Sequence, residues 1–192
     1  MYEIKEEKRI FDNYFKVDEA LVKHTSKEGK VTEFSKMKLI RKDASAVFIY
    51  NEETGKVIFV KQYRYAIANH VSEPVLEIAA GTIDEGELPL ETAKREVLEE
   101  CGYKVKDENI HLTSSFFVTP GYSSEVIYLY HATVTNEDKI HEGGGNETEN
   151  ENIEVVEIDY PEFLELLNNN KIDDGKTLIA SLFASVKLHK LE

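Results

Sequence analysis

The chain has 192 residues and one cysteine, and it carries 37 acidic side chains against 23 lysines and arginines, a formal net charge of -14. This length allows a folded core without disulfides, a single cysteine suits a reducing compartment, and the negative charge argues against nonspecific nucleic-acid or anionic-membrane binding. Because neither a membrane-spanning apolar run nor a secretory signal in Met1–Ile10 is visible, we expect a cytoplasmic protein.

The first half of the chain reads mainly as β-structure. Residues Phe15–Leu39 alternate loosely about a turn at Lys27–Lys30, which predicts a hairpin with polar faces. Ala46–Tyr50 and Lys56–Tyr63 are β-rich runs on either side of a turn that ends at Gly55. Further strands are predicted at Val75–Ala80, Ser115–Thr119, Val126–Val134 and Ile153–Ile158.

Three helices are predicted. The first is Pro89–Cys101, with proline at an early position and Gly102 at its end. The second is Pro161–Leu167, and the third is Lys176–His189, where apolar residues recur at helical spacing. Since strands and helices alternate irregularly, we expect a mixed α+β fold in which helices pack on a sheet.

The helix Pro89–Cys101 concentrates carboxylates beside an apolar stripe. Glu96, Glu99 and Glu100 cluster on one edge, and Arg95 lies one turn before Glu99. Such a patch either belongs to a solvated, glutamate-rich surface helix or serves a bound cation. Cys101 falls on the apolar side, so it is predicted to lie in the core.

The loop before this helix distinguishes between a solvated surface helix and a helix that serves a bound cation. The stretch Gly81–Tyr103 follows the pattern G-x5-E-x7-R-E-U-x-E-E-x-G-U, in which U is bulky and apolar and an aromatic residue takes the last place. This pattern resembles the signature of the Nudix hydrolases. The resemblance implies an α/β/α sandwich with a mixed sheet and hydrolysis of nucleoside diphosphates linked to another group, with Mg²⁺ or Mn²⁺ as cofactor.

The same resemblance assigns roles within the signature. It implies that Glu96 and Glu100 are metal ligands and that Glu99 is a ligand or a neighbouring carboxylate oriented by Arg95. Glu87 is expected to hold the geometry between loop and helix. Carboxylate oxygens select a hard cation, which neutralises a pyrophosphate and activates water.

Three further segments resemble the nucleoside diphosphate-sugar pyrophosphatase group of the family. They are Lys61–Arg64 (KQYR), Leu76–Gly81 (LEIAAG) and Val118–Gly121 (VTPG). This resemblance implies that Arg64 contacts substrate phosphates and that the carbonyl of Ala80 ligates a metal.

The acidic stretch Glu137–Glu154 reads from composition alone as a solvated loop. Its segment Glu149–Val155 resembles the E-x-E-x-I stretch that follows the catalytic loop in this group. By that resemblance Glu149 is the general base and Glu151 a further metal ligand, while Glu147 is a rival for the base.

Substrate and assembly are also implied by resemblance. Gly143–Gly145, Asp174–Thr177 and Asp12–Phe15 resemble the branch that acts on GDP-mannose, which favours GMP and mannose 1-phosphate as products. ADP-ribose, cleaved to AMP and ribose 5-phosphate, stands close behind. The alternatives are a non-catalytic Nudix sensor of nucleotide sugars and a housecleaning hydrolase of nucleoside triphosphates.

The resemblance further divides the chain in two. Residues 1–43 are expected to form an N-terminal β extension that serves dimerisation, and residues 44–192 to form the Nudix hydrolase domain. The expected assembly is a homodimer that binds a small nucleotide-sugar substrate, with no nucleic acid and no membrane as partner.

Overall fold

The computed structural model of the chain describes residues 1–145 and 152–188. The chain forms two compact units, of which the first comprises Met1–Asp43 and Phe117–Val126, and the second Ala44–Phe116 and the chain from Ile127 onward. No helix within the described ranges combines the length and apolar character that a membrane span requires.

The first unit contains an antiparallel sheet with β2 (Lys16–Thr25) between β1 (Tyr2–Asp12) and β3 (Val31–Ile40). The predicted hairpin is confirmed as β2 and β3, which pair from Lys16–Ile40 to Thr25–Val31. Strand β1 is not predicted from the sequence, because all its residues are exposed and charges occupy both faces, so no apolar alternation reveals it.

The second unit is built on a mixed sheet. In the described part of the chain this sheet has seven strands: β4 (Ala44–Asn51), β5 (Lys56–Gln62), β6 (Val75–Glu77), β7 (Ala79–Thr82), β8 (Ile110–Phe117), β9 (Val126–Val134) and β10 (Glu154–Asp159). Five of them run in the order β10-β5-β4-β9-β8, with β4 parallel to β9 and antiparallel to β5.

Strand β8 begins earlier than predicted. The sequence predicts this strand at Ser115–Thr119, whereas it runs over Ile110–Phe117 and ends before Val118. Only Ile110 in this strand is buried, so the strand has little of the apolar alternation by which a half-buried strand is recognised.

Strands β4 and β5 form a hairpin whose strands diverge, and β6 and β7 pair with them where they separate. Strand β4 pairs with β5 only over Ile49–Asn51 and turns to β7 over Ala44–Val47, while β6 pairs with β5. The predicted single strand Val75–Ala80 is therefore two strands, divided at Ile78. In this position β7 packs against the helix that bears the carboxylates.

Helices cover both faces of this sheet. Helix α1 (Pro89–Cys101) packs on one face, and α2 (Tyr160–Asn168) and α3 (Gly175–Leu188) pack on the other. The core on the α1 side includes Val47, Ile49, Ala93, Val97 and Cys101, and the core on the other side includes Phe48, Phe59, Phe163, Leu167 and Ala180. The predicted α/β/α sandwich with a mixed sheet is confirmed, as is the burial of Cys101.

Candidate active site

Helix α1 has defined ends. Pro89 occupies its first turn, where a missing N–H does no harm, and the Glu91 carboxylate accepts the Leu88 N–H at 2.9 Å. The helix ends at Gly102, whose φ of 80° is a left-handed conformation that favours glycine. Both ends agree with the bounds predicted from the sequence.

The glycine segment that resembled the GDP-mannose branch caps this helix. The Gly144 N–H donates to the Glu100 carbonyl at 2.9 Å, and the Gly145 N–H donates to the Glu99 carbonyl at 3.1 Å. Gly143 has a φ of 76°, and a β-carbon there would overlap the Glu100 carbonyl oxygen. These glycines therefore satisfy carbonyls that the last turn of a helix leaves unpaired.

Two glutamates of α1 are buried against strand β7. Glu96 is 7% exposed and Glu100 is 3% exposed, one helical turn apart. The Ala80 N–H donates to Glu100 Oε2 at 3.0 Å. A β-carbon on Gly81 would overlap the Glu96 carboxylate, so only glycine admits this approach. The helix and the strand thus bring two carboxylates to one short stretch of backbone.

Arg95 donates hydrogen bonds to three carboxylates of the signature. Its Nη1 donates to Glu96 Oε1 at 2.7 Å and to Glu99 Oε2 at 3.2 Å. Its Nε and Nη2 donate to the two oxygens of Glu87 at 3.0 and 3.1 Å, and the Thr92 hydroxyl donates to Glu87 at 2.7 Å. The hydrogen bond from Arg95 is the main reason that the pKa of Glu87 falls to about 2.

The donor set suits a hard divalent cation. Glu96 and Glu100 offer only oxygen ligands, and their burial removes competing solvent around the charge. No group of three or more His, Cys, Asp or Glu side chains with metal-binding geometry occurs among residues 1–145 and 152–188. The described residues therefore offer two buried carboxylates, and Glu151, the further ligand predicted from the sequence, lies outside the described residues.

The predicted general base also lies outside the described residues, as does its rival Glu147. Glu149 and Glu151 belong to the stretch 146–151. The described residues on its two sides meet at the end of α1, where Gly145 bonds to Glu99 and the Ile153 N–H donates to the Gly144 carbonyl at 3.4 Å.

Arg64 lies in a charged cluster that the sequence analysis did not recognise. Its Nε and Nη2 donate to the two carboxylate oxygens of Glu77 at 2.6 and 2.8 Å. The Lys176 ammonium contacts the same carboxylate and lies 3.0 Å from Asp174. The negative charge of Glu100 contributes to raising the pKa of Arg64, after the larger effect of the Glu77 hydrogen bond. Of the α1 carboxylates, Glu100 therefore acts electrostatically on this arginine.

Glu77 is the central residue of this cluster and is 2% exposed. Burial by itself raises the pKa of its carboxyl group, but the Arg64 hydrogen bond and the Lys176 charge outweigh burial and lower it. The residue appeared in the sequence analysis only as part of the LEIAAG segment. The sequence feature that could reveal Glu77 is a single acidic residue between apolar residues of a predicted strand, a pattern typical of a buried and paired charge.

Comparison with known proteins identifies the family. The NUDIX domain model matches residues 40–178, so the chain belongs to the Nudix family. The resemblance predicted from Gly81–Tyr103 and the expectation of a Nudix hydrolase are both confirmed. Divalent-metal dependence is general in this family, and the buried carboxylate oxygens of α1 are of the type that such metals prefer.

Curated relatives and a solved structure extend this result. The chain is 29% identical over 175 residues to a GDP-mannose pyrophosphatase of Shigella flexneri, covering 90% of this chain and 89% of the relative. It is 29% identical over 179 residues to a GDP-mannose pyrophosphatase of an Enterobacter species, covering 92% and 91%. A crystal structure of an ADP compounds hydrolase superposes with a TM-score of 0.75 at 19% identity, covering 99% of this chain and 95% of that one, which supports the fold.

Proposed function

We propose that this protein hydrolyses the diphosphate bond of a nucleoside diphosphate-sugar. The observation that carries the proposal is the pair of buried carboxylates, Glu96 and Glu100, held against Ala80 and Gly81. A diphosphate bears adjacent negative charges, which require cations on the protein side. The α1 carboxylates suit a bound metal, and Arg64 offers a fixed positive charge.

We assign Mg²⁺, with Mn²⁺ as the second choice, to a site formed by Glu96, Glu100, Glu151 and the Ala80 carbonyl. When bound, the cation offsets the charge on the phosphoryl oxygens and lowers the pKa of water. Arg95 donates hydrogen bonds to Glu96 and Glu99, as described above, and so orients these two carboxylates.

In the proposed reaction Glu149 accepts a proton from the water that attacks one phosphorus. The new P–O bond forms as the bond to the bridging oxygen breaks, and that oxygen leaves as part of the second phosphate. The products are a nucleoside monophosphate and a sugar phosphate. The support for Glu149 is that the described residues flanking its segment meet at the end of α1. Arg64 binds the phosphates in this scheme.

GDP-mannose is the favoured substrate, with GMP and mannose 1-phosphate as products. The support is the similarity over nine-tenths of the chain to relatives that are named GDP-mannose pyrophosphatases. ADP-ribose, with AMP and ribose 5-phosphate as products, is the second choice, because the similar solved structure is named an ADP compounds hydrolase.

The proposed assembly is a cytoplasmic homodimer that uses residues 1–43. The support is the exposure of apolar side chains on this extension: Ile4 is 64% exposed and Phe11 is 51% exposed. An edge strand with unpaired backbone groups and exposed apolar side chains is a surface that a second copy can cover. Light scattering of the wild type and of a Phe11→Asp variant tests this assignment, since the variant is expected to become monomeric.

Product analysis tests the reaction. GDP-mannose and ADP-ribose are offered separately at equal concentration with Mg²⁺, and the products are separated by chromatography. Dominant GMP supports the favoured substrate, whereas dominant AMP keeps the reaction class and transfers the preference to ADP-ribose. Absence of cleavage of both, with pyrophosphate or phosphate released from nucleoside triphosphates, contradicts the proposal and favours the housecleaning hydrolase. Binding of a nucleotide sugar without any turnover favours the sensor.

A further inference from the structure

Glu77 binds one side of the Arg64 guanidinium and accepts from only two of its nitrogen atoms. A guanidinium has five N–H donors in a fixed fork. Two of them, on Nε and Nη2, are directed to the Glu77 oxygens at 2.6 and 2.8 Å. Because the fork is planar, a partner on the Nε–Nη2 side leaves Nη1 directed away from Glu77. Arg64 can thus hold a second anion without releasing the first.

Glu77 is itself held by groups from another part of the chain. Lys176, in the first turn of α3, contacts its carboxylate, and Asp174 accepts hydrogen bonds from Lys176, from the Thr177 N–H at 2.9 Å and from the Thr177 hydroxyl at 2.6 Å. The Thr177 hydroxyl oxygen in turn accepts the Ile78 N–H at 2.9 Å. Lys176 therefore holds the Glu77 carboxylate, Asp174 holds Lys176, and the backbone next to Glu77 is bonded to the same helix through Thr177.

The charges within this cluster balance. Two cations, Arg64 and Lys176, face two carboxylates, Glu77 and Asp174, and Lys176 and Glu77 are both largely buried. Since Lys176 provides a second positive charge to Glu77, the carboxylate stays ionised when Arg64 also engages another anion. Without Lys176, a buried Glu77 would depend on Arg64 alone for its charge compensation.

From this geometry we infer that Glu77 is a positioning residue for substrate binding: it fixes Arg64 side-on, so that Nη1 is presented to the diphosphate, and Lys176 maintains Glu77 in that role. The inference rests on the proposed function, in which Arg64 binds substrate phosphates. An arginine fixed before binding loses less conformational entropy when the substrate arrives. Such a contact is made equally in the ground state and the transition state, so its loss raises KM and leaves kcat nearly unchanged.

Steady-state kinetics of a double-mutant cycle tests this inference. Arg64→Gln, Glu77→Gln and the double variant are compared with the wild type on the substrate that product analysis identifies. Glu77→Gln is expected to raise KM about 3- to 10-fold, the loss associated with one ordered side chain. In the Arg64→Gln background the same change is expected to alter KM less than about 2-fold, because Glu77 acts through Arg64. Glu157→Gln, which removes another ion-paired carboxylate, is the control.

The outcomes separate the inference from the proposed function. An equal rise in KM in both backgrounds, or a fall in kcat without a change in KM, overturns the positioning role of Glu77. Absence of any effect of Arg64→Gln on KM overturns instead the assignment of Arg64 to substrate phosphates. Absence of wild-type turnover on both nucleotide sugars contradicts the proposed function itself.

A second measurement does not depend on activity. The Arg64 Nε–H resonance, assigned by its absence in Arg64→Lys, is expected to exchange slowly with water in the wild type and rapidly in Glu77→Gln. If Glu77→Gln does not fold, Glu77→Asp keeps the charge but shortens the reach, and it is expected to give the same faster exchange and higher KM. An unchanged Nε–H exchange rate in a folded variant overturns the inference.

Discussion

The carboxylate of Glu96 occupies the space that a β-carbon on Gly81 would fill. This contact joins helix α1 to strand β7. It also explains why the signature begins with a glycine, since a side chain at this position would overlap Glu96. Because Ala80, the neighbour of Gly81, donates its N–H to Glu100, two successive residues of β7 each meet one glutamate of the helix. The two glutamates lie one helical turn apart on the same face of α1, so both reach this short stretch of backbone.

Replacing Gly81 with alanine is expected to displace Glu96 and impair the metal site. A methyl group at this position overlaps the carboxylate, and a shift of about 1 Å in a catalytic group lowers rates by about 100-fold. The measurements are kcat/KM and the affinity for Mn²⁺ by electron paramagnetic resonance. Gly121→Ala, where a β-carbon meets nothing within 4 Å, is the control for Mn²⁺ affinity and thermal stability.

Replacing Glu100 with glutamine is expected to reduce turnover by at least about 100-fold while the fold is retained, because a metal ligand loses its charge. The glutamine oxygen can still accept the Ala80 N–H, so the change isolates charge from the hydrogen bond. Turnover is measured at low Mg²⁺, and unfolding is followed by circular dichroism. Glu91→Gln, on the first turn of the same helix, is the control, and wild-type turnover of Glu100→Gln contradicts the metal assignment.

The pairing of Glu87 with Arg95 is expected to make stability depend on pH. The pKa of Glu87 is about 2 in the folded state, against an ordinary value of 4.5, so its contribution is present above pH 4.5. That contribution is lost as the pH falls from 4.5 towards 2. Urea unfolding of the wild type and of Glu87→Gln is compared across this range. The difference in the free energy of unfolding should shrink on acidification, and a difference independent of pH contradicts the role of the ion pair.

Replacing Gly143 with alanine is expected to destabilise the end of α1 by more than backbone strain alone. A left-handed residue other than glycine costs about 1–2 kcal/mol, and here the methyl group also overlaps the Glu100 carbonyl oxygen. Gly29→Ala is the matched control, because Gly29 has a φ of 81° and open space around its β-position. Thermal unfolding should show a larger loss for Gly143→Ala, and equal losses would contradict the capping contact.

Replacing Thr177 with valine is expected to cost about 1–3 kcal/mol of stability. The change preserves shape but removes the hydroxyl that accepts the buried Ile78 N–H at 2.9 Å and donates to Asp174 at 2.6 Å. Chemical denaturation measures the loss. Thr177→Ser restores the hydroxyl and should recover most of the stability, whereas equal destabilisation by both changes would indicate that the methyl group matters more than the hydrogen bond.

Local pattern accounts for what could be predicted of the fold. Helix α1 was predicted to its bounds because proline, glycine and a 3.6-residue apolar period agree over Pro89–Cys101. Strand β9 was predicted to its bounds for a similar reason, since Val126–Val134 is rich in β-branched and aromatic residues. Strand β1 was missed because an exposed strand carries no apolar face to reveal it.

The candidate site was predictable to the extent that its residues share one helix. Glu96, Glu99, Glu100 and Arg95 are neighbours by helical geometry, so their proximity follows from sequence spacing alone. Glu77 and Lys176 are separated by 99 positions, and no local pattern joins them. Their contact arises where β6 meets the first turn of α3.

The amino-acid sequence by itself determined the Nudix family, the carboxylate edge of α1 and the glycines that its loop requires, because these depend on spacing within a single stretch of chain. Only the tertiary structure decided that β4 and β5 diverge, that β7 enters between them to meet Glu96 and Glu100, and that Glu77 holds Arg64. The physical reason is that a buried charge selects its partner by the packing of whole elements. That packing is a property of the folded chain and not of any one segment.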